Sequence, residues 1–382
     1  MRIALNATCF NDRPSGAKQR FVGIYRALAR RMPEVEFVVF EPADCPMADW
    51  FSGLINLETR ATPIPSEGRW RKLFYSSRFW GEMLRQDSFD LFEGFHLPLP
   101  KVPSGKTILT VHDVRRLHPD WAWHSRTAFR LALTRAISYA DMVVTVSEAM
   151  KQELLPYCGR TPVCVIPNGL EAAAKDIHPA PAELAAFWSR FALPDRFLLA
   201  VGHLERRKNY PRLIEALAHL RKSGHDCHLL IVGNESGERA TLEAHIAANG
   251  LKRCVTLASG LTDLEVRCAY ALCELFVFPS TYEGFGIPIL EAMAAGKPMA
   301  LSDIPVFREI TGGQSAFFSP LDPHDMARVI QRVLASRSEQ INLLGHGFER
   351  LKAYNYSSIA AQYESLYSDL TTTPPRLTIA DL

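Results

Sequence analysis

From RIALNA at residues 2–7 to SAFFSP at 315–320, short unbroken apolar runs rich in β-branched and aromatic residues alternate with helix-like stretches. That alternation is the pattern of parallel βαβ units whose helices cover the sheet, and strands buried on both faces need no polar alternation of their own. A first series runs through EFVVF, KTILTVHD, DMVVTVSE and VCVIPNG. The text then changes to EAAAKDIHPAPAELAAFWSRFALPD, a stretch of Ala, Pro and charge without a strand-like run. A second series follows through FLLAVG, CHLLIVG, CVTLASG, LFVFPS and KPMALSD. At roughly 150 residues per domain, 382 residues accommodate two such units. The expectation is α/β, two doubly wound domains: 1–175, a linker at 176–195, 196–352, and a C-terminal segment 353–382 whose helix packs back on the first domain. They are expected to face each other across a cleft lined by the carboxyl ends of their strands, where open α/β sheets bind ligands. No repeat of 20–50 residues is visible, which excludes solenoids and propellers.

No apolar run approaches the roughly 20 residues that cross a bilayer, and Arg2 opens directly into a strand, so neither a spanning helix nor a signal peptide is expected. Eight cysteines are scattered without a C-x-x-C pair and read as buried thiols of a reducing compartment, which places the chain in the cytoplasm. The charge divides unevenly: 22 Lys and Arg against 17 Asp and Glu up to Leu170, then 21 against 24. An excess of five is too small for a dedicated nucleic-acid binder but suits an approach to an anionic membrane or acceptor. GRWRKLFYSSRFW at 68–80 interleaves Arg69, Arg71, Lys72 and Arg78 with aromatics. It reads either as an interfacial segment among lipid headgroups or as a helix packed on its aromatic face.

The strongest chemical signal is LFVFPSTYEGFGIPILEAMAAGKPMALSD, a strand, a loop with Gly284 and Gly286, and a helix with Pro288 in its first turn. Glycines let backbone approach a ligand, and a helix N-terminus offers N–H groups and partial positive charge to a phosphate. Two carboxylates, Glu283 and Glu291, stand eight residues apart. Beside a phosphate they make sense as acceptors for sugar hydroxyls. In AVGHLERRKNYPRLIEAL, three consecutive cations, Arg206, Arg207 and Lys208, follow a strand's carboxyl end and suit a diphosphate.

PSTYEGFGIPILEAMAAGKP resembles the E-x7-E signature of the retaining GT-B glycosyltransferases of family 4, with two Rossmann-like domains. The resemblance covers both domains and is most specific from Val201 to Asp303. It implies that Glu283 holds the donor sugar's hydroxyls, with Gly284, Phe285, Gly286 and Ile287 along the same sugar, and that Glu291 grips the ribose diol. Gly202 and His203 fall at the family's donor-binding turn. Lys208 matches the lysine that contacts the diphosphate; the family's arginine position holds His203, which shifts that role to Arg207. In the first domain Gly16, with Pro14 and Ser15, resembles the acceptor-side loop, and His112 the histidine that reaches the donor sugar, with Asp113 beside it on the acceptor side. VTVSEAMKQEL and VIPNG look architectural, with Ser147 near the cleft, and Glu93 and His96 follow a strand without an assigned role.

The resulting expectation is a retaining hexosyltransferase that needs no cofactor and no metal. Its donor is a UDP- or GDP-sugar, GDP-mannose or a UDP-hexose. Its acceptor is a glycan or lipid-linked glycan of cell-surface polysaccharide or lipopolysaccharide synthesis, reached from the cytoplasm with peripheral contact at the inner membrane surface. A sugar-nucleotide 2-epimerase and a non-catalytic two-lobed sugar-binding protein are the alternatives; VGNESG is no dinucleotide fingerprint.

Overall fold

A computed structural model describes residues 1–11, 16–171 and 179–372. The chain divides into two compact units, Met1–Gly169 with the segment from Asn355 onward, and Leu170–Tyr354. In the first, β1 (Arg2–Asn6), β2 (Glu36–Glu41), β3 (Leu57–Ala61), β4 (Leu91–Gly94), β5 (Lys106–Val111), β6 (Met142–Thr145) and β7 (Val163–Val165) form a parallel sheet in the order β3-β2-β1-β4-β5-β6-β7. The order reverses at β1, which makes the carboxyl ends of β1 and β4 the place where a doubly wound sheet opens to a ligand. Helices α1 (Gly16–Arg31), α2 (Arg69–Gln86), α3 (Trp123–Tyr139) and α4 (Glu148–Cys158) follow β1, β3, β5 and β6.

In the second unit, helix α5 (Pro181–Phe191) precedes β8 (Phe197–Val201), α6 (Tyr210–Lys222), β9 (His228–Val232), α7 (Arg239–Ala248), β10 (Val255–Ala258), α8 (Asp263–Leu272), β11 (Leu275–Phe278), α9 (Ile287–Ala294), β12 (Met299–Ser302), α10 (Pro305–Thr311), β13 (Ala316–Phe318), α11 (Pro323–Ala335) and α12 (Arg337–Leu351). The strands pair in parallel, β10-β9-β8-β11-β12-β13, with the reversal at β8. β8 and β11 are neighbours in this sheet. The cation loop and the glycine loop therefore leave the sheet side by side.

The described part of the stretch expected as a linker at 176–195, residues 179–195, is instead part of the second unit. Pro181 opens α5 at its first position, where a missing N–H costs nothing, and the helix packs against α8 with Arg190 paired to Glu265. Residues 172–178 lie outside the described set. The unit closes where the Leu170 N–H donates to the Tyr354 carbonyl at 2.8 Å, so its boundaries are 170 and 354 rather than 196 and 352.

Helix α13 (Tyr356–Thr372) then packs on α1 in the first unit. Its apolar face buries Tyr356, Ile359, Ala360, Tyr363, Leu366 and Tyr367, which sit in one core with Ile3, Leu5, Phe21 and Leu28. Gly23 permits this contact, since a Cβ there would overlap the Tyr356 ring at 2.1 Å. The remainder of the expected tail, 373–382, is outside the described residues.

Candidate active site

β8 ends at Val201, and Gly202 takes φ +146°, a conformation that disfavours any side chain. A Cβ at Gly202 would stand 2.6 Å from Lys208 Cε and 2.8 Å from its Nζ, so the bare backbone is what lets the lysine fold under it. The turn is fastened at both ends. The Gly202 N–H donates to the Val232 carbonyl at 2.9 Å, and the Tyr210 hydroxyl donates to the Gly202 carbonyl at 2.8 Å. Arg206–Lys208 make one 3-10 turn that ends on Asn209 in the left-handed region at φ 58°. The Asn209 amide donates to the carbonyls of Pro279 at 3.0 Å and Pro320 at 2.7 Å, and the Thr281 N–H donates to the Arg207 carbonyl at 2.9 Å. Main-chain and amide bonds thus stitch the cation loop to the loop after β11.

That stitching delivers both cations to Glu283. Its Oε1 accepts the Lys208 ammonium at 2.8 Å and the Ser280 hydroxyl at 2.8 Å, and its Oε2 pairs with the Arg207 guanidinium. The lysine and glutamate side chains are 6% and 10% exposed, which leaves water little share in the pairing. Arg207 is held from its other side, where Nε donates to Glu205 at 2.9 Å. The Lys208 ammonium also lies 4.6 Å over the Phe278 ring. Burial alone would push the Glu283 carboxyl up, but Lys208 and Arg207 outweigh it and hold the group below the usual carboxylate range. Burial pulls Lys208 below its ordinary value against the opposing field of Glu283, while Glu283 and Glu205 raise Arg207 despite its burial.

Gly286 at φ +145° caps α9, and a Cβ there would press on Phe307 at 3.2 Å and Ile289 at 3.3 Å. The side chains of Phe285 and Ile287 are buried at 5% and 7% exposure. Any ligand along 284–287 therefore meets backbone. One turn into α9, Glu291 accepts the hydroxyl of Tyr270 on Oε2 at 2.9 Å, while Oε1 has no partner among the described residues. Burial raises this carboxyl above its ordinary value, in the opposite direction to Glu283. Nothing in the sequence pattern pointed to Tyr270, which stands 21 residues upstream in an apolar helix. His203 lies half-buried beside the turn, and burial lowers its imidazole below the ordinary value.

Gly16, His112 and Asp113 belong to the first unit, and the other ten belong to the second. Gly16 is the exposed first residue of α1, and Pro14 and Ser15 lie outside the described residues. His112 follows β5 with Nε2 buried and unpartnered, and burial with Arg20 nearby lowers the ring to about 3, which keeps it neutral. Exposed Asp113 accepts the Arg115 N–H at 3.1 Å. Ser147 is no open site residue; it is buried and caps α4, accepting the Met150 N–H. Glu93 is fully buried and lines nothing. It accepts Tyr25 and Thr110 at 2.6 Å and Tyr367 at 3.0 Å, which ties α1, β5 and α13 to β4.

Among the described residues no group of three or more His, Cys, Asp or Glu could hold a metal ion, and no helix is long and apolar enough to cross a membrane. Residues 186–344 match the family Glycosyl transferases group 1, and residues 14–173 match Glycosyltransferase Family 4. The chain is 28% identical over 274 residues to the serotype-specific mannosyltransferase WbdA of Escherichia coli, 69% of this chain but only 33% of that protein. It thus spans about a third of the length of that relative. A phosphatidyl-myo-inositol mannosyltransferase of Mycobacterium leprae is 23% identical over the full length of both chains. Among solved structures, sucrose-phosphate synthase from Thermosynechococcus elongatus superposes with a TM-score of 0.78 at 20% identity, covering 97% of this chain and 98% of that one.

Proposed function

The chain belongs to the group 1, family 4 glycosyltransferases, and from that premise we propose that it moves a hexose, with retention, from a nucleoside diphosphate sugar to a cell-surface glycan acceptor. The observation that carries the reading is the Lys208–Glu283–Arg207 cluster beside a glycine loop that opens α9. It combines two cations for a diphosphate with a carboxylate for sugar hydroxyls. The relatives named for mannosyl transfer favour GDP-mannose over a UDP-hexose.

In this reading the bond between the anomeric carbon and the β-phosphate oxygen breaks, and its electron pair leaves with the diphosphate. Lys208, Arg207 and the α9 N-terminus stabilise that charge. The acceptor oxygen bonds to the anomeric carbon from the face the phosphate vacates, and its proton passes to the departing phosphate oxygen. Backbone at 284–287 and Glu283 hold the hexose, and Glu291 holds the ribose. The leaving charge is met by side-chain cations, so the reaction should run in EDTA. Incubating the protein with GDP-mannose and UDP-glucose in EDTA should release free hexose and nucleoside diphosphate from one of them. Full inhibition restored by Mn²⁺ would overturn the metal-free mechanism, and a C2-epimerised sugar would point to an epimerase.

The acceptor side is proposed to work peripherally at the cytoplasmic face of the membrane. Trp70 and Phe74 on α2 are 79% and 64% exposed, with Leu73, Tyr75, Arg71 and Arg78 also exposed. Other residues of the segment face inward, among them Phe79, which packs on Phe40 and Trp80. Trp80 is buried against Phe40 and Phe92, and Lys72 donates to the carbonyls of Thr8 at 2.8 Å and Ser66 at 3.3 Å. Each cation near an anionic leaflet contributes about 1 kcal/mol, screened by salt. Replacing Trp70, Arg71, Phe74 and Arg78 together with Ser should lower flotation with phosphatidylglycerol vesicles by at least tenfold and leave donor hydrolysis unchanged. Unaltered flotation would refute the surface.

A further inference from the structure

We infer that Tyr270 is a positioning residue for nucleoside recognition, holding Glu291 turned so that its Oε1 is the oxygen offered to the ribose. The inference rests on the reading of Glu291 as the ribose ligand. Tyr270 is 2% exposed, and its ring is fixed against Phe276 with centroids 5.5 Å apart. Its hydroxyl lies 2.9 Å from Glu291 Oε2 and 3.3 Å from the Pro288 carbonyl in the first turn of α9. A phenol has one proton, and the shorter bond to the charged acceptor is the stronger of the two. The phenol itself never ionises in the working range, because burial and Glu291 hold it well above its ordinary value. It is therefore a permanent donor to a carboxyl that burial would otherwise tend to protonate.

Two consequences follow from the geometry. With Oε2 occupied, the carboxylate cannot rotate without giving up a charge-assisted bond, so Oε1 stays in one place. Without the phenol, Glu291 is both freer to turn and easier to protonate, and a protonated carboxyl accepts ribose hydroxyls less well. The loss should therefore concern the ribose hydroxyls and not the diphosphate.

The test is calorimetric titration of wild type, Tyr270→Phe and Glu291→Gln with guanosine and uridine diphosphates and their 2′-deoxy forms. For the ribonucleotide that binds wild type, Tyr270→Phe should weaken affinity about fivefold to tenfold, less than the loss of one direct hydrogen bond to a charged group, because the phenol acts through Glu291. The same variant should change the 2′-deoxy affinity less than twofold, and the difference between the two ligands should widen as the pH is lowered. Equal losses on both ligands, or no loss on either, would overturn the positioning role. If wild type does not prefer ribose to 2′-deoxyribose and Glu291→Gln weakens both equally, the assignment of Glu291 itself fails, a result distinct from failure of Tyr270 alone.

Discussion

Replacing Glu283 with Gln should tighten the free nucleoside diphosphate about tenfold, weaken the intact sugar nucleotide, and lower turnover by about a hundredfold. The opposite signs for the two ligands follow from the ion pairs that Glu283 makes with Lys208 and Arg207. Sequence reasoning alone assigns Glu283 to the hexose, so its loss would leave the nucleoside diphosphate untouched. In the structure, however, the same carboxylate neutralises Lys208 and Arg207. Removing one partner of a buried ion cluster leaves uncompensated charge, a situation that costs several kcal/mol in a folded protein. A diphosphate supplies the missing negative charge and should gain affinity when its competitor is gone. The sugar nucleotide gains the same term but loses the carboxylate that orients the hexose, and positioning makes up a large part of the barrier. Calorimetry on both ligands and donor hydrolysis rates decide the matter. Equal weakening of both ligands would show that Glu283 does not act as the counter-ion of the cations.

Most strands were legible because both faces of each sheet are covered, so they read as apolar runs; the edge strand β3, LETRA, is only partly buried and carries no such run. The loops that follow β8 and β11 were legible because glycine, proline and clustered charge are local signals. What was not legible depends on distance along the chain. Glu283 and Lys208 are 75 residues apart, and only the adjacency of β8 and β11 brings them within 2.8 Å. Tyr270 hides in an apolar helix because a phenol serves equally as core and as donor. Lys72 read as a surface cation because its neighbours are basic, yet Thr8 and Ser66 offer it carbonyls. The segment before Phe197 read as a linker because α5 is Ala-rich, begins on Pro181 and follows Pro179, a composition shared by tethers and by short surface helices. Glu93 stands at a strand's carboxyl end, where the rule for open sheets points to ligands, and α13 fills that position with two tyrosines from the far end of the chain.

Lys208→Met should cost turnover about a hundredfold to a thousandfold, the range for deleting one preorganised donor to a developing negative charge. It should also lower thermal stability, because Lys208 is 5% exposed and its ammonium is one of three groups that satisfy Glu283. The burial of the pair couples the loss of rate to a loss of stability. The two effects separate in a double variant. Lys208→Met with Glu283→Gln removes both buried charges, while Arg207 keeps Glu205 as its partner. Such a protein should recover most of the lost melting temperature and none of the turnover. Gly202→Ala offers an independent route to the same end, since its Cβ would occupy the space of the Lys208 ammonium and displace a side chain it does not delete. Its turnover should fall in the same direction. If the double variant regained activity along with stability, Lys208 would be a structural counter-ion of Glu283 and the leaving diphosphate would depend on Arg207 and the α9 N-terminus alone.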